Sequence, residues 1–195
     1  MTAPASPSAR PSPATERILA AARELLARGG AAEISIGDVA ATASVSKALV
    51  HYHFRDKDSL LVALAEHSAA RAIARARAAL DSSTDDHVLD AYWSAIESEL
   101  HAGDQRVLLA LAECDSDRVR ASCKRFARER REVTSSQISS LFDRLGLRLR
   151  VPAELMADTV IAFTDGLILT NALEPERPTR PAFDVLWLAL LALAE

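Results

Sequence analysis

Cationic and hydrogen-bonding side chains lie close together in one stretch of the first third of the chain. Lys47, His51, His53 and Lys57 can all carry positive charge, and Tyr52 adds a phenolic hydroxyl. Groups of this kind neutralise phosphates and hydrogen-bond to the edges of bases in the major groove of DNA. The stretch therefore predicts a nucleic-acid-binding surface.

Other chemistry is less well supported by the residue spacing. His51 and His53 suggest a metal site, but residues two positions apart on a helix point to different faces, so DNA contact is the better interpretation. Cys114 lies near Asp115 and Asp117, yet this spacing resembles no catalytic motif, and we expect packing and helix capping there. The sequence thus predicts no catalytic residue, no metal and no cofactor, and a protein that is not an enzyme.

Two short helices with a tight turn between them would position the DNA-binding surface. Ser35 is a good N-cap with Asp38 three residues later, and small or apolar residues follow at the spacing of one buried helical face. A second helix starts after Ser46, and its apolar residues Val50 and Phe54 are four positions apart. This is a helix-turn-helix pattern, whose second helix would lie in a major groove. The buried face of the first helix is Ile36, Val39, Ala40 and Ala43.

The whole stretch, with the helix before it and the link after it, resembles the amino-terminal signature of the tetracycline-repressor (TetR) family of bacterial transcription regulators. The resemblance covers roughly residues 14 to 65. It implies that DNA is contacted by residues of the first four helices. The pattern reads Ser35-x-x-x-Val39-Ala40-x-x-Ala43-x-Val45-Ser46-Lys47, then Tyr52-His53-Phe54-x-x-Lys57-x-x-Leu60-Leu61. The implied DNA-binding residues are Thr15, Ser35, Ser46, Lys47, Ala48, Leu49, His51, Tyr52, His53 and Lys57.

Three positions depart from the usual pattern of the family. Ser44 stands where a turn glycine is common, Ala48 and Leu49 stand where Gly-Thr is common, and His51 stands where a tyrosine is often found. A residue with a side chain in a left-handed turn costs about 1 kcal/mol, so Ser44 is tolerable but strained. These departures affect which bases are read and leave the buried positions intact.

Composition favours an all-α protein. Of 195 residues, 49% are hydrophobic, and alternating β-branched runs are missing. The formal net charge of −4 is unevenly distributed, since residues 1–80 have ten Lys and Arg against seven Asp and Glu, and residues 81–195 have thirteen against twenty. The positive part therefore coincides with the predicted DNA-binding surface. Two cysteines, no signal peptide and no membrane-length apolar run predict a cytoplasmic protein without membrane contact.

Breaks in the helical pattern divide the chain into three parts. Residues 1–12 are rich in proline and serine and predict a flexible tail. Residues 13–80 form the helix-turn-helix domain with a linking helix, and residues 81–195 form a helical bundle for effector binding and dimerisation. Helices are expected to start near Ser12-Pro13, end at Gly29-Gly30, and resume after Asp56 to about 80. In the bundle, helices are expected at about 84–101, 104–113, 116–145, 152–173 and 181–194.

The last two of these helices are apolar on nearly every side, so one face of each would be covered by a second copy of the chain. The resemblance also implies a four-helix dimer interface, which would set two recognition helices on a palindromic operator. The predicted interface residues are Phe163, Leu167, Phe183, Leu186, Trp187 and Leu190.

The bundle is also expected to hold a small, largely apolar effector. Asp165 lies among apolar neighbours and must find a partner, so we expect an interface or helix-terminus hydrogen bond, with a polar anchor for a ligand as the alternative. The run Lys124-Arg125-x-x-Arg128-x-Arg130-Arg131 is typical of a solvated helix face, with an acidic ligand or partner as the alternative. The predicted effector residues are Trp93, Ile96, Leu111, Phe126, Phe142, Phe163 and Asp165.

These features together predict a ligand-responsive transcription regulator. As a homodimer it would bind double-stranded DNA at a palindromic operator, and the resemblance makes repression relieved by an effector the expected mode. The alternative is a helical small-molecule carrier or enzyme whose amino-terminal unit is an interaction module. Steep weakening of DNA binding with salt would distinguish the regulator from the carrier.

Overall fold

A computed structural model describes residues 12–81 and 88–195, and these residues form nine helices. The all-α prediction is confirmed, and the helices lie close to the predicted ranges. The predicted tail at 1–12, apart from Ser12, and the boundary stretch after Asp81 lie outside the described residues. The helices are α1 (Pro13–Glu33), α2 (Ile36–Thr42), α3 (Lys47–His53), α4 (Lys57–Asp81), α5 (Val88–Ala102), α6 (Asp104–Ala112), α7 (Asp117–Arg144), α8 (Ala153–Leu173) and α9 (Arg180–Leu191).

Capping residues fix where the amino-terminal helices begin and end. The Ser12 side chain accepts a hydrogen bond from the Thr15 backbone N–H, and Pro13 takes the first helical position. Gly30 has φ 75°, a left-handed conformation that interrupts α1 as the paired glycines predicted. Ser35 and Ser46 cap α2 and α3 by accepting from the backbone N–H groups of Asp38 and Leu49, both at 3.1 Å.

The turn between α2 and α3 contains the strained residue that the sequence predicts. Ser44 has φ 53° and is the one non-glycine residue of the described chain with positive φ. The turn is closed by the Val45 backbone N–H, which donates to the Ala40 carbonyl at 2.9 Å. A left-handed residue is needed here because α3 must leave at a large angle to α2 within a few residues.

Two hydrophobic clusters hold the described chain together. The first contains Ile18, Val50 and Leu60 of the helix-turn-helix unit and extends into α6 and α7 through Leu111 and Val119, all fully buried. The second joins α5, the carboxyl half of α7, α8 and α9. Because α6 and the start of α7 share a core with α1, the helix-turn-helix unit packs directly on the bundle.

Helix α4 lies at the centre of this arrangement. It packs against α1 on one side and against α5, α6 and α7 on the other. Of the helices in the described ranges, none combines the length and apolarity that crossing a bilayer requires.

Candidate DNA-binding surface and effector cavity

The recognition helix α3 has one buried side and one exposed side. Val50 is fully buried and Phe54, which caps the helix, is 6% exposed, so these two residues anchor α3 to the first cluster. On the opposite side Lys47, Ala48, His51 and Tyr52 are exposed, and Tyr52 reaches 83%. Leu49 lies between the two sides and is partly buried. The exposed side therefore presents a cation, two rings and a methyl group to solvent.

The amino-terminal end of α1 lies beside the carboxyl-terminal end of α3. Thr15 Oγ1 is 3.4 Å from His53 Nδ1 and 2.9 Å from Ser12 Oγ. The predicted phosphate contact Thr15 and the predicted base or backbone contact His53 thus form one continuous edge of the surface.

Other predicted DNA-binding residues have structural partners in the free chain. Lys57 Nζ donates to the Ala32 carbonyl at 3.0 Å, which ties the start of α4 to the last turn of α1. Ser35 is committed to capping α2, because it accepts from the Asp38 backbone and donates to its carboxylate. The Lys47 side chain lies over the first turn of α2. A Cβ atom added to Gly37 would come within 3.0 Å of Lys47 Nζ.

A second candidate site is a partly open cavity lined by α4, α5, α7 and α8, with Gln105 of α6. Its volume is about 60 Å³, which is room for about four water molecules. Most of the wall is apolar, and polar side chains converge at several points. Its lining includes Ile73, Arg75, Tyr92, Ile96, Glu99, Gln105, Phe126, Arg130 and Val160.

Only part of the predicted effector set reaches this cavity. Ile96 and Phe126 lie in its wall. The rest lie elsewhere, because their side chains complete the two clusters or reach the outer surface: Leu111 belongs to the first cluster, Phe142 and Phe163 pack in or on the second, and Trp93 lies under the Arg180 guanidinium. Asp165 finds its partner in Arg130, whose Nη1 donates to it at 2.7 Å, and it is Arg130 that lines the cavity.

An ion-pair network lies between the cavity and α1. Asp104, at the first position of α6, is fully buried and accepts hydrogen bonds from Arg23, Arg71 and Arg75. Arg75 Nε also donates to Glu99 at 3.1 Å. We call Arg23, Arg71, Arg75, Glu99 and Asp104 the Asp104 cluster. It connects the cavity residues Arg75 and Glu99 to a helix of the DNA-binding unit, and sequence reasoning missed it because its members are far apart along the chain.

The electrostatics of the Asp104 cluster favour its charged form. Burial by itself raises the pKa of Asp104, but the hydrogen bonds from Arg75 and Arg23 outweigh burial and hold that pKa below its ordinary value. Arg23 Nη1 also donates to the Ala102 carbonyl at 2.7 Å. The cluster therefore fixes the α5–α6 connection against α1 and α4.

The predicted dimer-interface residues need a correction. Leu167, Phe183, Trp187 and Leu190 are at most 6% exposed and pack in the second cluster of their own chain. Phe163 and Leu186 are partly buried against the same cluster. These side chains are covered internally because Tyr92 and Trp93 of α5 stack on Phe183 and Trp187.

The outer side of α8 and α9 instead carries a set of exposed leucines and a valine. Leu173 is 74% exposed and Leu188 is 69% exposed, which is unusual for side chains that would gain from leaving water. We call this set the outer apolar face. Its residues are Leu155, Leu169, Leu173, Val185 and Leu188.

The nine helices of residues 12–81 and 88–195 form a helix-turn-helix unit at one end and a helical bundle with a cavity at the other. Residues 18–64 match the model of the bacterial regulatory proteins of the tetR family. The predicted resemblance is thereby confirmed, and this segment is a TetR-family helix-turn-helix. The matched family consists of regulatory proteins, in agreement with the expectation that the chain is not an enzyme. Comparison with curated protein sequences gives no match.

Solved structures share the fold over nearly the whole chain. A putative transcriptional regulator from Pseudomonas aeruginosa PAO1 is 24% identical with a TM-score of 0.75, over 92% of this chain and 90% of that chain. The fatty acid degradation regulator FadR from Bacillus halodurans is 13% identical with a TM-score of 0.78, over 91% and 96%. A TetR-family regulator from Agrobacterium tumefaciens is 22% identical with a TM-score of 0.72, over 88% and 96%.

Proposed function

We propose that the chain is a homodimeric repressor that binds a palindromic operator and leaves it when a small effector occupies the cavity. The observation that carries the proposal is the exposed side of α3. Lys47, His51 and Tyr52 project from a helix that Val50 and Phe54 hold rigidly against the core. Rigid presentation of hydrogen-bonding groups is what reading base edges requires.

The proposed contacts divide by chemistry into three groups. Ala48 and Leu49 are suited to thymine methyl groups, whereas Lys47 and the two histidines of α3 are suited to base acceptors and phosphate oxygens. Thr15, Ser46, Tyr52 and Lys57 would bind phosphates. Lys57 is half-buried in the free chain, and its ammonium would exchange the Ala32 carbonyl for a phosphate oxygen.

Dimerisation is proposed through the outer apolar face. Leu169 and Leu173 are four residues apart on α8, and Val185 and Leu188 are three apart on α9, so each pair lies on one side of its helix. A second copy placed on this face by a twofold axis would bury these side chains in a four-helix contact. The axis would also relate two α3 helices, which is the condition for binding a palindrome.

The effector would act through α4 and the Asp104 cluster. Ile73 and Arg75 of α4 line the cavity, and the same helix begins at Lys57 beside α3. An effector that binds more tightly when α4 is in one of two positions would favour that position. The difference in its affinity for the two positions sets the size of the population shift, and the separation of the two recognition helices would change with it.

The test is selection of bound sequences from random DNA duplexes with the purified full-length protein, followed by a salt titration of the selected site. We expect an enriched palindrome and a steep fall of affinity with salt. A well-folded protein that enriches no sequence and binds small molecules would contradict the proposal and favour the carrier.

A further inference from the structure

The polar groups of the cavity show which chemical class of effector it accepts. The charged residues that line it within the described chain are Arg75, Glu99 and Arg130. Both carboxylate oxygens of Glu99 are already occupied, one by the Arg75 guanidinium and the other by the Gln105 backbone N–H at 2.5 Å. The cavity therefore has little acceptor capacity left on its one carboxylate.

Donor capacity, in contrast, remains. The Arg130 side chain is 12% exposed and donates to Asp165 through Nη1. Its other guanidinium nitrogens have no hydrogen-bond partner among residues 12–81 and 88–195. Tyr92 also lines the cavity, with a hydroxyl that stays protonated because burial raises the pKa of Tyr92 to about 12. A guanidinium beside a phenol is a pair of donors suited to one anionic acceptor.

The charge balance around the cavity also favours an anionic effector. The Asp104 cluster and the Arg130–Asp165 pair together contain four arginines and three carboxylates. One positive charge is therefore in excess in a partly buried region, where a single negative charge would be favoured and a second positive charge opposed.

An unpartnered atom marks a further polar contact. Gln105 Oε1 is buried without a hydrogen-bond partner, and Gln105 lines the cavity. The two ends of an amide are interchangeable in such an assignment, so this side chain offers the cavity one unused donor or acceptor. A buried polar group of this kind is costly until a ligand or water satisfies it.

We propose that the effector is a small monocarboxylic acid, with its carboxylate at Arg130 and Tyr92 and its apolar body against Ile96, Phe126 and Val160. This inference rests on the proposed function and names its ligand class. The cavity volume of about 60 Å³ limits the apolar body to a short aliphatic chain. A carboxylate that also reaches Arg75 would compete with Asp104 for that guanidinium and so loosen the hold of the Asp104 cluster on α1.

The test uses two pairs of probes of nearly equal shape, namely propionate with propionamide and butyrate with butyramide. Binding to the full-length protein is measured by calorimetry. We expect each acid to bind about tenfold or more tightly than its neutral amide, because charge-assisted hydrogen bonds are the stronger ones. Equal or weaker binding of the acids, or no binding by any probe, would overturn the proposal.

Two substitutions identify the site of the carboxylate. Arg130→Gln should abolish the preference for acids over amides, and Arg130→Lys should restore part of it. Arg131→Gln is the matched control, because Arg131 is the next residue on α7 but is 57% exposed and pairs with Asp158. Loss of the preference in Arg131→Gln as well would mean that it does not arise in the cavity. Selection of DNA sequences uses no ligand, so it succeeds or fails independently of this result.

Discussion

Ser44 has a strained backbone conformation in the turn of the helix-turn-helix. Its φ of 53° places a side chain in the left-handed region, where glycine has no penalty. We expect Ser44→Gly to raise the free energy of unfolding by about 1 kcal/mol, partly offset by the freedom that glycine adds to the unfolded chain. Denaturant unfolding followed by circular dichroism measures this change.

The control for Ser44 is a glycine placed where the backbone is helical. Thr42→Gly, in the last turn of α2, should lower stability by up to about 1 kcal/mol, because glycine is a poor helix residue. If Ser44→Gly were also destabilising, the strain assigned to this turn would be wrong.

Lys57 allows a residue-scale test of phosphate binding. Lys57→Ala should weaken binding to operator and unrelated DNA by a similar factor, and lower the slope of log affinity against log salt by about one for each subunit. Titrations of both DNAs at several salt concentrations measure this. Lys124→Ala removes an equal charge from an exposed position on α7 and should leave the slope unchanged. A loss confined to the operator would instead assign Lys57 to base reading.

At the scale of elements, Asp104 is the point where α1, α4 and α6 are joined. Three arginines from two helices donate to this one fully buried carboxylate. We expect Asp104→Asn to lower the free energy of unfolding by about 2 to 3 kcal/mol, since it removes the charge of a fully buried carboxylate that three partly exposed arginines share. Asp158→Asn, which breaks an exposed pair with Arg131, should cost less than about 1 kcal/mol.

The same carboxylate makes stability depend on pH in a defined direction. Because the folded pKa of Asp104 is below its ordinary value, the charged form is bound more tightly in the folded state. Its contribution is complete above the unfolded pKa of about 4 and is lost as pH falls through the lower folded pKa. Between about pH 5 and pH 2, the free energy of unfolding should therefore fall less in Asp104→Asn than in the wild type. An identical pH profile would mean that folding does not lower the pKa of Asp104.

At the scale of the whole molecule, the outer apolar face is the proposed dimer contact. Leu188→Asp places a charge at a position 69% exposed in the single chain, so the subunit should stay folded while the dimer dissociates. Sedimentation should give the monomer mass, and operator affinity should fall. Leu109→Asp, at an exposed leucine of α6, is the control and should remain dimeric. A Leu188→Asp protein that sediments as the wild type would remove this face from the interface.

The sequence by itself determined the elements of this protein and the character of its amino-terminal unit. Caps at Ser12, Ser35 and Ser46 and the break at Gly30 are local features, because each depends on hydrogen bonds or backbone angles within a few residues. The helix ranges and the left-handed turn at Ser44 follow from the same short-range rules. The TetR-family segment could also be identified from the sequence, since the residues of its signature are contiguous.

Only the tertiary structure decided which apolar side chains are covered and which polar groups meet. On α9, Trp187 and Leu188 are neighbours of similar hydrophobicity, yet one packs under the α5 aromatics and the other faces outward. A helix that is apolar all round carries no periodic pattern from which its buried side could be read. The Asp104 cluster joins residues up to 81 positions apart, and a charged residue in a sequence does not indicate a partner at that separation. Such pairings depend on how helices pack, and the packing is decided by the sum of many contacts across the chain.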